Sequence, residues 1–365
     1  MASYKNQHFV PRCYLKPFSV SAEGFAINLY NIDRRVGIPN AAIKGQCSKR
    51  YFYGKDLRLE KLLEFSEGTY ASSLRDIQKP GYSLTKSDKA VLLHFGYLQR
   101  CRTEATLQRA VMSMAEMADI AFSGDVPVDQ RITMSDAVLF AMRSFSETMH
   151  IVDDLKVCLV RNQTHRPFVT SDDPAVMTNR WYAQSPRARG LTGGIGSAGA
   201  LIFLPLTPAI MAVIYDGDVY SISNAGGWTR AEKVIDIDSF NEHQFLNCLA
   251  NIYFADWISL PQVSKAFEAA LPNRPAVRHE IITGELESED DWGEKYRVVP
   301  RQELQRKGKV FLHLKATRPQ PSRWPSMIRL RSDRKIYYNG TGMGYLRRST
   351  AEENSYRGPP YKRVT

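Results

Sequence analysis

The sequence has few cysteines, and their spacing predicts neither disulfides nor a zinc site. Five cysteines are spread over 365 residues, at positions 13, 47, 101, 158 and 248, and no two of them form a Cys-x-x-Cys pair. A disulfide framework or a structural zinc needs closer spacing or nearby histidines. We therefore expect free thiols and a protein of the reducing cytoplasm.

The sequence also lacks long hydrophobic runs and a secretory leader. The most apolar stretch, ALIFLPLTPAIMAVIY (200–215), is interrupted by Pro205 and Pro208 and is shorter than a membrane span. We read it as two strands joined by a turn at residues 205–208. The first residues, MASYKNQHFVPRCYL, lack the basic and then apolar pattern of a signal peptide. Both observations predict that the protein does not enter a membrane.

Acidic residues are scarce in the C-terminal segment, residues 301–365. This segment holds 16 Lys and Arg against 4 Asp and Glu, whereas the first 300 residues hold 33 against 34. The segment therefore carries a net charge of +12 and the rest of the chain −1, and we expect the segment to bind nucleic acid and to be dispensable for folding of the body. The predicted contact residues are Arg329, Arg331, Arg334, Lys335, Arg347 and Arg348.

The hydrophobic pattern changes twice along the chain and predicts an α+β fold. Strand-like alternation up to about residue 55 gives way to helical spacing, and short β-branched runs return from residue 155. A last helix is predicted over 240–255. This order predicts a mainly antiparallel sheet with a packed helical layer, in a core domain of residues 1–260. Residues 261–365 are predicted to form a basic, Pro- and Arg-rich appendage with little core of its own.

Two basic side chains, His8 and Arg102, occupy positions suited to proton transfer and to anion binding. His8 precedes a Val-Pro step, which favours an extended backbone, and histidine can move protons near neutral pH. The alternative is a partly buried histidine bonded to a carbonyl. Arg102 continues the apolar stripe of Val91, Phe95 and Leu98 along a helix, so it must pair with an anion. That anion is either a carboxylate of the protein or a phosphate of a ligand.

The stretch FVTSDDPAV (168–176) ends a predicted strand on two adjacent carboxylates. Neighbouring side chains at a strand end point to opposite faces, so Asp172 and Asp173 should serve different purposes. One can close the turn before Pro174, and the other can face a site. We assign Asp172 to a site shared with His8, and Asp173 to the turn.

A glycine-rich loop, GGIGSAG (193–199), precedes a predicted strand. The backbone amides of such a loop can approach an anion closely, with Gly194, Gly196 and Ser197 as the predicted contacts. The loop is not a Walker loop, because no Lys-Ser/Thr pair follows and the next element is a strand. The alternative is a flexible hairpin loop.

Five stretches in order, HFVPRCYLKPF, QCSKRYFYG, QRCRT, PFVTSDDP and GIGSAGALIFLPLTP, resemble an uncharacterised bacterial and phage-associated family, the domain of unknown function 4238. The resemblance covers roughly residues 5–260. Cys13 stands where the family usually has an aromatic residue. The resemblance implies no reaction, but it implies a shared site at His8, Tyr14, Arg102, Ser171, Asp172 and Ser197.

Two functions of different classes fit these observations. The first is a hydrolase that cleaves a phosphodiester or glycosidic bond of a nucleic acid or nucleotide, as in a phage-defence or toxin-type effector. A version that uses a magnesium ion needs a further carboxylate, for which Asp153 or Asp154 is the nearest candidate. The second is a non-catalytic nucleic-acid-binding or assembly module. The catalytic candidates are His8, Tyr14, Ser171 and Asp172, and the anion-binding candidates are Arg102, Gly194, Gly196 and Ser197.

Overall fold

The computed structural model describes residues 5–21, 23–188, 191, 193–290, 293–305, 308–355 and 359–364. Within these ranges no helix is long and apolar enough to cross a membrane. The same ranges contain nine α-helices: α1 Arg12–Leu15, α2 Arg58–Ile77, α3 Lys86–Arg102, α4 Glu104–Ala121, α5 Met134–Thr148, α6 Arg180–Gln184, α7 Val234–Asn247, α8 Leu260–Ala270 and α9 Arg348–Glu353.

The strands form mostly antiparallel sheets, so the predicted α+β fold is confirmed. The described ranges contain eighteen strands: β1 Asn6–His8, β2 Ala26–Asn31, β3 Val36–Ala42, β4 Ser48–Arg50, β5 Lys156–Asn162, β6 Thr170–Ser171, β7 Val176–Thr178, β8 Leu201–Thr207, β9 Ile210–Tyr215, β10 Tyr220–Ser221, β11 Trp228–Ala231, β12 Asn251–Phe254, β13 His279–Asp290, β14 Gly293–Val298, β15 Val310–Ala316, β16 Arg329–Leu330, β17 Ile336–Tyr338 and β18 Lys362–Val364.

The central sheet has the strand order β11-β5-β9-β8-β7 and is buried on both faces. Alternate residues of its strands enter two different hydrophobic clusters. Ile202 and Ile214 pack with the helical layer of α2 to α5, whereas Phe203 and Val213 pack on the opposite face. A β-carbon on Gly96 would lie 2.7 Å from Ile214, so α3 crosses this sheet at a glycine. The β8–β9 turn lies at residues 208–209, and Pro205 stays within β8.

The helix predicted over 240–255 is wrong in its second half. The helix α7 ends at Asn247, and β12 begins four residues later. The strand pairs with β2 on one side and with β6 on the other. Its side chains at Ile252, Tyr253 and Phe254 are all buried, and a continuous apolar run of this kind does not separate a buried strand from a helix. The sequence pattern therefore missed the α7–β12 turn, which carries part of the candidate site.

The C-terminal segment is packed into the body. This corrects the expectation of an appendage that has little core of its own and that the body does not need for folding. The strands β13, β14 and β15 form an antiparallel sheet, and β15 packs against α4. Further on, Ile328, Ile336 and Tyr345 are buried in the cluster that covers the outer face of the central sheet. Removing this segment would uncover apolar surface of the body, so we expect the body to depend on it.

A substitution at Ile328 tests this dependence. Ile328 is 0% exposed, and Ile328→Ala should lower the free energy of unfolding by about 2–5 kcal/mol, as expected for a buried aliphatic side chain. Urea unfolding followed by the fluorescence of the whole chain gives this value. Met343→Ala is the control, because Met343 lies in the same segment and is 58% exposed. Equal, small effects of both variants would mean that the segment does not share the core.

Candidate functional site

The carboxylate of Asp172 holds the turn between α7 and β12. Its Oδ1 accepts a hydrogen bond from the amide of Leu249 (2.7 Å), and its Oδ2 accepts from the amides of Ala250 (2.7 Å) and Asn251 (2.9 Å). Burial raises the pKa of Asp172 to about 6, although the three amides oppose this shift. The side chain is thus bonded to backbone amides, and these contacts do not support the predicted catalytic role.

Asp173 points away from Asp172, as the alternation of strand residues predicts. Its Oδ2 accepts from Arg109 Nη1 and its Oδ1 from the Thr103 hydroxyl, each at 2.7 Å, and both donors lie at the start of α4 or within it. Asn247 Nδ2 donates to the backbone carbonyl of Asp173 (2.7 Å). Asp172 therefore fixes the α7–β12 turn, whereas Asp173, which was predicted to serve the turn before Pro174, lines a charged cavity.

Arg102 is fully buried and pairs with a carboxylate of the protein. Its Nη1 donates to Glu67 Oε1 in α2 (2.9 Å), and its Nε donates to Gln99 Oε1 (2.5 Å). The anion that the sequence requires is thus Glu67, and the phosphate alternative has no support from these contacts. Three buried nitrogens of this cluster have no hydrogen-bond partner: Arg102 Nη2, Gln99 Nε2 and His8 Nε2. We call these three residues, with Glu67, the Arg102 cluster.

Two side chains in or beside the Arg102 cluster, His8 and Glu60, have pKa values outside their ordinary ranges. Burial and the nearby Arg12 guanidinium lower the pKa of His8 to about 4, so the imidazole is neutral at neutral pH. His8 also makes a hydrogen bond to the backbone of Lys44. Burial and the Glu67 carboxylate raise the pKa of Glu60 to about 7. A neutral imidazole and a carboxyl group that titrates near pH 7 are suited to proton transfer.

Tyr14 and Ser171 join elements of the fold. The Tyr14 hydroxyl donates to the Pro205 carbonyl (2.6 Å) and is 2.8 Å from the Thr170 hydroxyl. The Ser171 hydroxyl donates to Gln244 Oε1 in α7 (2.8 Å). Both side chains are 0% exposed. Their contacts fasten β6 to the N-terminal helix α1 and to α7, and they stay catalytic candidates by prediction alone.

The glycine-rich loop contacts Arg347 of the C-terminal segment through its backbone carbonyls. Arg347 Nη1 donates to the Ile195 carbonyl, and the Arg347 amide donates to the Gly196 carbonyl (3.1 Å). Inside the loop, the Gly194 amide donates to the Ser197 hydroxyl (2.7 Å), and Ser197 is 2% exposed. Because the Ile195 carbonyl accepts from the guanidinium and the Gly194 amide is already bonded, these contacts do not support the predicted anion site at Gly194, Gly196 and Ser197, which stays a prediction.

The basic residues predicted to bind nucleic acid range from buried to exposed in the C-terminal segment. Arg347 is 2% exposed and pairs with Asp154 (2.9 Å), and Arg331 Nε donates to the carbonyls of Gly217 (2.8 Å) and Tyr220 (3.1 Å). Both side chains hold the segment on the body. Arg347 is too buried to reach a nucleic acid, whereas Arg331 is half-buried and its predicted contact stays a prediction. Arg334 donates to the Arg331 carbonyl, and Lys335 lies 3.8 Å from Asp218. The exposed members of the predicted set are Arg329 and Arg348.

The carboxylates proposed for a magnesium site have other partners. Asp153 pairs with His94 (2.8 Å), and Asp154 pairs with Arg347 and accepts from the Ser349 hydroxyl (2.7 Å). In the part of the chain that the structure describes, no three His, Cys, Asp or Glu side chains lie together so as to hold a metal ion. A magnesium site at Asp172 therefore has no ligand set among these residues.

A cavity of 240 Å³ beside Asp173 is lined by four arginines. Arg100 comes from the end of α3, Arg109 from α4, Arg278 from the residue before β13, and Arg318 from the chain after β15. We call this cavity the arginine pocket. Asp173 is the one carboxylate among its described lining residues, so the lining carries a surplus of positive charge.

The surplus of positive charge contributes to lowered pKa values for two of the arginines that line the pocket. Burial, together with the neighbouring charges of Arg109 and Arg274, lowers the pKa of Arg278 to about 9. Burial and the charge of Arg100 lower the pKa of Arg318 to about 10. Arg109 is neutralised by Asp173 (2.7 Å), but among the described residues Arg100 and Arg318 have no carboxylate within 4.0 Å. Such a cluster favours an anion from outside the protein.

Sequence reasoning did not find the arginine pocket. Its four arginines lie at positions 100, 109, 278 and 318, and no local motif joins them. Asp173 was the one usable signal, because two adjacent acids at a strand end required two partners. Charge counting pointed to the C-terminal segment as a whole, of which Arg318 belongs to the pocket.

The comparison with known families gives one match. A family model described as "Protein of unknown function (DUF4238)" matches residues 6–257, about two thirds of the chain. The chain belongs to this family. The family match includes Arg100, Arg109 and Asp173, whereas Arg278 and Arg318 lie beyond it, so the C-terminal wall of the arginine pocket is outside the matched region. No curated protein and no solved structure matches the chain.

Substitution of Asp172 tests its role in the turn. Asp172→Ala leaves three partly buried amides without an acceptor and should lower the free energy of unfolding by roughly 1–3 kcal/mol near neutral pH. Asp125→Ala, at an exposed position, is the control. Denaturant unfolding gives both values.

The same variant tests the pKa of Asp172. The folded-state pKa of about 6 lies above the value of about 3.9 in an unfolded chain, so the folded protein takes up the proton first. The contribution of Asp172 to stability should therefore rise as the pH falls from about 6 to about 4. The difference between wild type and Asp172→Ala should grow over this range. A difference that shrinks on acidification would contradict the burial of this carboxylate.

Proposed function

We propose that this protein binds the phosphate groups of a nucleotide or a nucleic acid in the arginine pocket. The observation that carries the proposal is the pair Arg100 and Arg318, which line a half-open cavity without a carboxylate partner among the described residues. Both arginines are half-buried. Like charges that line one cavity repel each other, and a guanidinium pairs with phosphate through two parallel hydrogen bonds. Phosphate is therefore the ligand chemistry that suits this pocket best.

The other two arginines of the pocket are held in place before any ligand arrives. Arg109 donates to Asp173 and to the Asn247 carbonyl (2.7 Å each). Arg278 donates to Asn247 Oδ1 (3.2 Å) and to the Leu246 carbonyl. Side chains that are already ordered lose little conformational entropy on binding. We infer that Arg109 and Arg278 shape the pocket, while Arg100 and Arg318 contact the phosphate.

Removal of Arg100 or Arg318, the two arginines without a carboxylate partner among the described residues, should lower the affinity for phosphate groups. Arg100→Ala and Arg318→Ala should each weaken binding of inorganic pyrophosphate about tenfold, or about 1.4 kcal/mol, measured by isothermal titration calorimetry. Binding by the wild type should also weaken with added salt, because the contacts are electrostatic. Arg329→Ala and Arg348→Ala are matched controls, since both residues are exposed and lie outside the pocket. Loss of binding in the controls alone would place the anion site on the C-terminal surface.

Hydrolysis of a phosphodiester or glycosidic bond is the second candidate function, as a phage-defence or toxin-type effector would need. The observation that favours it is the Arg102 cluster. His8 Nε2, Arg102 Nη2 and Gln99 Nε2 are buried and have no protein partner, so an attacking water and a substrate oxygen that reached them would find one proton acceptor and two donors. Glu60, with a pKa of about 7, could return a proton to the leaving group.

A turnover assay with single-stranded and duplex nucleic acids and with free nucleotides tests this second candidate. His8→Gln should lower the rate by about 10²–10⁴, the range for loss of a general base. The rate should fall below about pH 4, where His8 is protonated, and above about pH 7, where Glu60 loses its proton. His94→Gln is the control, because His94 lies outside the cluster and pairs with Asp153. Turnover that His8→Gln leaves unchanged would rule out this role.

A further inference from the structure

A second cavity, of 420 Å³, adjoins the arginine pocket. Both cavities are lined by Ala316, Thr317 and Arg318, which follow or end β15. A ligand that contacts Arg318 in one cavity can therefore extend into the other. We call the second cavity the side pocket.

The side pocket differs from the arginine pocket in its charge. Most of its polar lining residues are uncharged, and they include Thr178, Tyr182, Gln184 and Gln320. Its described acidic and basic residues other than Arg318 are Glu280 and Lys315, which pair with each other (3.0 Å). Apart from Arg318, which lines both cavities, the side pocket thus offers hydrogen-bonding groups and an aromatic ring with no net charge.

The ring of Tyr182 is fixed where it lines the side pocket. Its hydroxyl donates to the Tyr345 carbonyl (3.0 Å) and accepts from the Tyr345 amide (2.8 Å). A ring that is already held can stack on a flat heterocycle with little loss of entropy. Stacking on an aromatic side chain is a common way of binding a nucleobase.

We infer that the two cavities together bind one mononucleotide, with its phosphates in the arginine pocket and its sugar and base in the side pocket. This inference rests on the proposed function and narrows it to a substrate class. A ligand with one strongly anionic end and one uncharged, polar and aromatic end matches the two linings. A nucleic-acid duplex fits less well, because its phosphates need an open basic surface rather than a cavity of 240 Å³.

The test compares adenosine diphosphate with inorganic pyrophosphate by isothermal titration calorimetry of the full chain. The nucleoside diphosphate should bind at least tenfold more tightly, because pyrophosphate supplies only the anionic end. Ala183 lines the side pocket and is exposed, so Ala183→Trp should fill the pocket while the chain stays folded, which its melting temperature checks. This variant should reduce the affinity for the nucleotide about tenfold and leave that for pyrophosphate unchanged. Arg100→Ala should weaken the binding of both ligands.

The outcomes separate the inference from the function on which it rests. Equal affinities for both ligands, with no effect of Ala183→Trp, would overturn the side pocket as a nucleoside site and leave phosphate binding standing. Binding of a single-stranded oligonucleotide far more tightly than the nucleotide would overturn the mononucleotide as the ligand. Absence of binding for both small ligands would overturn the proposed function itself.

Discussion

Two adjacent buried carboxylates, Asp172 and Asp173, connect the parts of the fold that form the candidate site. A buried carboxylate is stable only when its oxygens are bonded, and these two find their partners in opposite directions. Asp172 binds the amides of residues 249–251, and Asp173 binds Thr103 and Arg109. The α7–β12 turn and the helical layer are thereby fixed relative to one short stretch of chain.

The arginine pocket follows from this arrangement. Asp173 brings Arg109 to the wall of the cavity and neutralises one guanidinium, and Asn247 contacts both Arg109 and Arg278. Arg278 and Arg318 come from the C-terminal third of the chain, so the pocket is complete only when that part is packed on the body. The same packing buries Ile328, which links the stability of the segment to the integrity of the pocket.

Local sequence patterns predicted the positions of helices and strands well, but they did not predict which residues contact each other. The sequence predicted helical spacing between about residues 55 and 155, where α2 to α5 lie, and it predicted that the two aspartates would point apart. It could not assign their roles, because the deciding partners are amides near residue 250 and an arginine on α4. Composition predicted that the C-terminal segment, residues 301–365, binds nucleic acid through its basic side chains. Net charge does not show which cations are buried in ion pairs, as Arg347 is.

The most direct test of this account is to locate a bound anion. Crystals of the full chain grown with selenate, a phosphate mimic, allow the selenium position to be read from anomalous diffraction. The account predicts a selenium peak in the arginine pocket, within hydrogen-bonding distance of the guanidinium groups of Arg100 and Arg318. Peaks confined to exposed residues such as Arg329 and Arg348, with the arginine pocket empty, would contradict it.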